Sequence, residues 1–212
     1  MERLKYLAAA FLAPILAHAD QGLDQAIQRL QHEWAIVNYQ TPGDKQEAAF
    51  DTLAGMARDV AQRYPGNAEP LVWEAIILAS EAKVKGGLSA LGLAKDARNL
   101  LFSAEKIDPN ALKGSIYTSL GSLYYKVPGW PIGFGDRKKA REYLDKALKL
   151  NPESIDANYF YGDLMLSEGH YDAAAAYLRK ALAAPARPGR EIADAGRRSE
   201  IQIDLKKAEE SR

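Results

Sequence analysis

The sequence predicts an all-α protein, a right-handed α-solenoid of stacked helix pairs closed by a C-terminal capping helix. Three observations carry this prediction. The first is an echo, in which Tyr143-Leu144-Asp145-Lys146-Ala147-Leu148 returns 34 residues later as Tyr177-Leu178-Arg179-Lys180-Ala181-Leu182. A period of this length marks a two-helix unit that cannot bury its apolar face alone and must stack on a neighbour. The second is a small-large alternation around the echo. Gly121, Ala140 and Ala147 in one unit, and Gly162, Ala174 and Ala181 in the next, stand where paired helices approach closely. Tyr117, Leu120, Tyr124 and Leu144, then Tyr161, Met165 and Leu178, fill the gaps between them. The third is punctuation. Asn151-Pro152 stops a helix between the units, because proline lacks an N–H and disfavours helix in the residue before it.

Residues 1–19 stand apart from the stack. Arg3 and Lys5 give a basic start, residues 6–17 form an apolar run, and Ala17-His18-Ala19 supplies a small-x-small cleavage pattern before Asp20. Helix over that run spans about 18 Å, against a hydrocarbon core of about 30 Å. Pro14 interrupts it as well. A cleaved secretory signal is therefore expected, with Ala17 and Ala19 at the cleavage site and no stable membrane insertion of the product.

The rest, residues 20–212, is expected to be a single domain. Its helix pairs fall at about 24–64, 70–108, 114–151 and 155–184, with a capping helix at about 190–209. In the first pair, Ala26, Leu30 and Ala35, then Ala49, Leu53, Ala57 and Val60, keep helical spacing on either side of the breaker Thr41-Pro42-Gly43-Asp44. Tyr64-Pro65-Gly66-Asn67 ends that pair. In the capping segment Ile192, Ile201, Ile203 and Leu205 lie among many charges, as the polar-faced end of a stack requires.

Composition excludes several functions. The chain has 28 basic and 28 acidic side chains, so no electrostatic footprint for nucleic acid exists. With no cysteine, disulfides, thiolate zinc sites, a cysteine nucleophile and a lipidated N-terminal cysteine are ruled out. Outside residues 1–19 the histidines are His32 and His170, far apart and without a second ligand at helical spacing, so no metal is expected. Acidic residues are scattered along helices, which reads as solvated faces rather than a catalytic pair. Neither a catalytic residue nor a cofactor is expected.

The repeats resemble the tetratricopeptide repeat family. Both later pairs follow its small-large pattern, although Asn158 stands where the family usually has tryptophan. Upstream, Trp73 occupies the tryptophan position, and Ala97, Leu101, Ala104, Asp108 and Pro109 match a second helix. Ile77 replaces the usual glycine, which predicts a more widely spaced pair there. From Gly121 to Ala140 is seven residues longer than from Gly162 to Ala174, and the extra segment is the insert Val127-Pro128-Gly129-Trp130-Pro131-Ile132-Gly133-Phe134-Gly135-Asp136. The preceding unit is extended on the same edge through Lys85-Gly86-Gly87-Leu88, so the two extensions are placed to meet. With Asn158-Tyr159-Phe160-Tyr161-Gly162-Asp163 and residues 184–194, the insert is similar to a group of exported bacterial tetratricopeptide proteins, which implies the periplasm. A looser similarity of architecture links the chain to the T component of periplasmic TRAP transporters.

Two readings of the insert stay open. In one, Trp130 and Phe134 fold back on the helix edges and Asp136 caps the second helix. In the other, the aromatics anchor a partner. A phosphate site at Gly133-Phe134-Gly135-Asp136 is disfavoured, because no strand precedes it and Asp136 places negative charge at the cap.

In the family the first helix of each pair lines the concave side. The resemblance thereby nominates Glu74, Leu78 and Glu81, then Thr118, Ser122, Tyr125 and Lys126, then Asp156, Tyr159, Asp163 and Leu166 as a groove. Acids and tyrosines on that surface suit a basic or amide-rich peptide. The alternative is that the terminal segment, with Arg187, Arg190, Arg197 and Arg198, fills part of the groove itself. The expected function is an exported, non-enzymatic scaffold for protein or peptide partners. An accessory transporter subunit, or a small-molecule or lipid carrier with a cavity near Ile77, is the alternative.

Overall fold

The computed structural model describes residues 12–211, with side chains from residue 21. The signal expected over residues 1–19, with its cleavage positions Ala17 and Ala19, lies outside the residues whose side chains are described. The α-helices among the described residues are α1 (Leu12–Tyr39), α2 (Gly43–Arg63), α3 (Ala68–Lys85), α4 (Gly87–Ile107), α5 (Ser115–Lys126), α6 (Arg137–Leu150), α7 (Ile155–Ser167), α8 (Tyr171–Ala183) and α9 (Glu191–Glu210). A 3-10 turn, Ala111–Gly114, leads into α5. The all-α class expected from the repeat is the observed one.

The repeat sets the packing of the later pairs. In α6, Ala140, Leu144 and Ala147 are the buried residues, one stripe at i, i+4 and i+7 against α5. A Cβ on Gly121 of α5 would lie 2.5 Å from Leu144 Cγ, and one on Gly162 of α7 would lie 2.8 Å from Leu178 Cγ. Leu144 and Leu178 are the equivalent residues of the echo, so the same leucine fills the same missing side chain in both pairs. Helix starts are fixed locally too. The Asp136 carboxylate accepts from the backbone N–H groups of Lys138 (2.9 Å) and Lys139 (3.1 Å), and Ser154 Oγ accepts from Ala157 N at 3.2 Å. Asn158, the departure from the family's tryptophan, is buried; its Nδ2 donates to the carbonyls of Pro152 and Ser154, both at 2.9 Å, tying the inter-repeat turn to α7.

Ile77 is fully buried between α3 and α4. Facing it, α4 buries the small residues Ala94, Ala97 and Ala104, which make room for the larger side chain.

The first helices of the pairs form the inner layer. There α1 touches α3, α3 touches α5, and α5 touches α7. The terminal helix α9 packs on α8 and α7 and also reaches α1. The inner helices therefore close into a ring, α1-α3-α5-α7-α9, with the two ends of the stack in contact across the concave side. Close approach makes this junction, since a Cβ on Gly196 of α9 would fall 2.3 Å from the Tyr39 ring of α1.

Candidate functional site

Ring closure turns the concave groove into a cavity of about 730 Å3, within the roughly 300–1,000 Å3 of ligand pockets. Each inner helix contributes one face. From α1 come Gln31, Trp34 and Asn38, spaced by three and four residues; from α3 come Trp73, Ile76, Ser80 and Lys83; from α5 come Thr118, Ser119, Ser122 and Lys126. Asp156, Tyr159 and Phe160 of α7 and Arg197 and Glu200 of α9 complete the wall, with Arg187 and Arg190 from the loop before α9. Trp34 and Trp73 meet edge to face at 6.0 Å, and Trp34 Nε1 donates to Ser80 Oγ at 2.9 Å. Leu112 and Lys113, on the lining between α4 and α5, have φ of 50° and 51°. That left-handed region is uncommon for residues with a Cβ and is characteristic of functional loops.

One wall is an ionic network. Asp156 accepts from Arg187 Nη1 at 2.7 Å and from Arg197 Nε at 2.8 Å. Arg187 also binds Asp194 (2.7 Å), and Arg197 binds Glu200 (2.6 Å), which accepts from the Tyr39 hydroxyl of α1 at 3.2 Å. Arg197 lies over Tyr159 (4.4 Å) and Phe160 (4.8 Å). Burial opposes the ionisation of Asp156, but Arg197 and Arg187 outweigh it and hold the carboxyl well below the usual carboxylate range. Arg198 points the other way and donates to the carbonyls of Leu182 and Ala184 at the end of α8. Three of the four terminal arginines are thus tied up in joining α9 to the stack.

Arg190 is the exception. Its guanidinium stands 5.1 Å over the Trp73 ring, and its buried Nε finds no acceptor among the described residues. Trp73 Nε1 is buried without an acceptor too. Such groups cost about 1–3 kcal/mol each when left unpaired. Burial, and next the neighbouring Arg187, lower the pKa of Arg190 from its ordinary value.

The nominated groove residues divide. Thr118, Ser122, Lys126, Asp156 and Tyr159 line the cavity. Glu74 and Glu81 do not: Glu74 faces Arg58 of α2 at 3.7 Å, and Glu81 shares Lys85 with Asp51 of α2, both at 2.7 Å. Leu78 is core. The α3 face turned inward is that of Trp73 and Ser80, one position from the nominated one, which is a rotation of about 100°. Tyr125 and Asp163 make a joint between α5 and α7, where the Tyr125 hydroxyl donates to Asp163 Oδ2 at 2.7 Å beside Lys126 Nζ. Leu166 packs against the core. Each carboxylate nominated for the groove has a cationic partner.

The insert splits as well. Phe134 folds back, edge-on to Tyr124 at 5.4 Å and beneath Arg98 at 4.2 Å. Trp130 does not fold back; it is 89% exposed. Backbone bonds set the loop's path, from Gly135 N to Pro128 O (2.9 Å) and Asp136 N to Tyr124 O (2.8 Å), leaving Trp130 at the outer turn. The insert packs against the first turns of α4, since a Cβ on Gly133 would lie 3.2 Å from Leu91, three residues beyond the extension at 85–88.

Sequence reasoning missed Trp34 and Ser80, and it gave Arg190 no role of its own. The spacing of Gln31, Trp34 and Asn38 carries a signal for a helix face, but only ring closure shows what that face meets. Among the described residues no group of three or more His, Asp or Glu is placed to hold a metal ion, and no helix is long and apolar enough to cross a membrane.

Among proteins of curated function, none matches the sequence. Among solved structures the chain is similar to MamA, with 24% identity over 82% of this chain and 95% of that one and a TM-score of 0.45. A thermophilic TPR protein of Thermus thermophilus, TTC0263, matches at 18% identity over 74% and 92% of the two chains, with a TM-score of 0.41. PilF of Pseudomonas aeruginosa matches at 17% over 90% of each chain, with a TM-score of 0.35. Residues 132–195, which span α6, α7 and α8 and the start of α9, match the family model described as tetratricopeptide repeat.

Proposed function

We propose that the protein is a non-enzymatic interaction scaffold that receives a peptide segment of a partner protein in the cavity at the centre of its inner ring, and that it does so in the periplasm. The repeat match supports the scaffold, since stacked helix pairs bind through their concave faces. The observation that carries the site is the lining: two tryptophans, Tyr159 and Phe160 beside hydroxyls of Thr118, Ser119 and Ser122. Aromatic area with a few polar groups fits side chains and backbone of an extended segment. The three-part pattern of residues 1–19 supports export.

A photo-crosslinking residue at Ser119, inside the cavity, is compared with one at Trp130, on the edge. Partner protein captured from Ser119 alone agrees with the reading; capture from Trp130 alone contradicts it and favours an edge-docked assembly such as a transporter accessory. For export, intact mass should give a mature chain starting at Asp20 in the soluble periplasmic fraction. A retained Met1 overturns that part.

A further inference from the structure

The unpaired donors of Arg190 and Trp73 are neighbours on one corner of the cavity. Their positions distinguish them from the rest of the wall. Arg187 and Arg197 each hold two carboxylates, and Asp156 and Glu200 are held in turn. Arg190 has no carboxylate within hydrogen-bonding reach among the described residues, and Asp156 and Asp194 act on its charge only from farther off. A guanidinium is a fork of donors matched to a carboxylate, and the indole N–H beside it adds another. Four buried side-chain atoms among the described residues lack a partner, on Trp73, Arg98, Tyr117 and Arg190, and of these residues Trp73 and Arg190 line the cavity, where an acceptor from outside the chain can approach.

We infer that Arg190 and Trp73 form an anion-binding corner that takes the carboxylate of an acidic side chain, while an adjacent apolar side chain of the same peptide packs among Trp34, Tyr159 and Phe160. The inference rests on the reading of the cavity as a peptide site and specifies the peptide's chemistry. It reverses the preference for basic peptides expected from Glu74, Glu81 and Asp163. A carboxylate fits better than a phosphate dianion, because Asp156 and Asp194 lie close enough to Arg190 to act on it and only one arginine of the corner is unpaired. Two negative charges there meet repulsion that one can balance.

Capped hexapeptides with glutamate beside leucine or phenylalanine are titrated into the full chain, alongside the same peptides with glutamine or lysine in place of glutamate. Octanoate is a non-peptide arm. The readout is tryptophan fluorescence in a Trp130→Phe background, which leaves only Trp34 and Trp73, both on the cavity. Glutamate peptides should bind about tenfold or more tightly than their glutamine versions, the scale of a charge-assisted hydrogen bond. Lysine versions should be weaker still. Arg190→Gln should erase the glutamate preference, and Trp73→Phe should reduce it while keeping the ring.

Equal affinity for glutamate and glutamine peptides in the unaltered cavity overturns the corner but leaves the peptide site standing, and this comparison requires no variant to fold. A preference that survives Arg190→Gln in a protein of unchanged helical content also overturns it. Octanoate binding that depends on Arg190, with no peptide bound, supports the corner and overturns the peptide reading. No fluorescence change with any probe at millimolar concentration overturns both.

Discussion

Arg190 and Arg197 line the same cavity yet differ in what removing each would do. Arg197 is buried between Asp156 and Glu200, so Arg197→Gln leaves those carboxylates short of a partner and should cost about 3 kcal/mol. Arg190→Gln loses its contact with the Trp73 ring and its longer-range attraction to Asp156 and Asp194, while it relieves repulsion from Arg187. Its stability should change by no more than about 1 kcal/mol. Urea unfolding of the two variants checks this, and similar losses would mean that Arg190 is structural. Asp156 gives a pH signature. Its carboxyl is held below the usual range, so its contribution to stability is complete above about pH 4 and is lost as pH falls further. Asp156→Asn should therefore flatten the acid side of the stability profile while lowering stability at neutral pH. At this scale the sequence showed residue types but not partners. Glu74 and Trp73 are adjacent in the chain and face opposite surroundings, and no local pattern says which one turns inward.

Helices were the most legible level, because the 34-residue period specifies both which residues repeat and which small residue faces which leucine. Gly162→Ala should destabilise by about 1–3 kcal/mol, since the new Cβ meets Leu178 Cγ at 2.8 Å and the Ala174 carbonyl oxygen at 3.3 Å. Lys180→Ala, on the exposed face of α8, should stay within about 0.5 kcal/mol. Equilibrium unfolding of both measures the contrast. The insert was legible in part. Asp136 as a cap follows from a carboxylate directly after glycine at a helix start, whereas the opposite fates of Phe134 and Trp130 depend on where Tyr124 and Arg98 stand on α5 and α4. The junction of α9 with α1 had no sequence signal, because it joins residues 161 positions apart through the curvature of the whole stack. Gly196→Ala should strain that junction against Tyr39 and speed amide exchange in α9 more than in α5.

Over the whole molecule, the consequence of curvature is enclosure. An open solenoid offers a long groove to an extended partner, but here α9 crosses from α7 to α1 and leaves a bounded cavity suited to a short segment. The network from Tyr39 through Glu200, Arg197 and Asp156 to Arg187 holds that closure and pairs the charges where α7 meets α9. In the peptide reading proposed above, the aromatic lining and Arg190 supply the contacts. Exposed Trp130, Ile132 and Leu88 on the outer edge are the competing surface.

The most direct measurement is the affinity of a peptide or partner for two folded variants, Ser119→Trp, which fills the cavity from α5, and Trp130→Ala, which strips the edge. Ser119 makes no side-chain hydrogen bond among the described residues, so the substitution blocks space without dismantling the network. The cavity account predicts loss of at least about tenfold in Ser119→Trp and no change in Trp130→Ala. Unchanged binding in Ser119→Trp, with loss in Trp130→Ala, would contradict it.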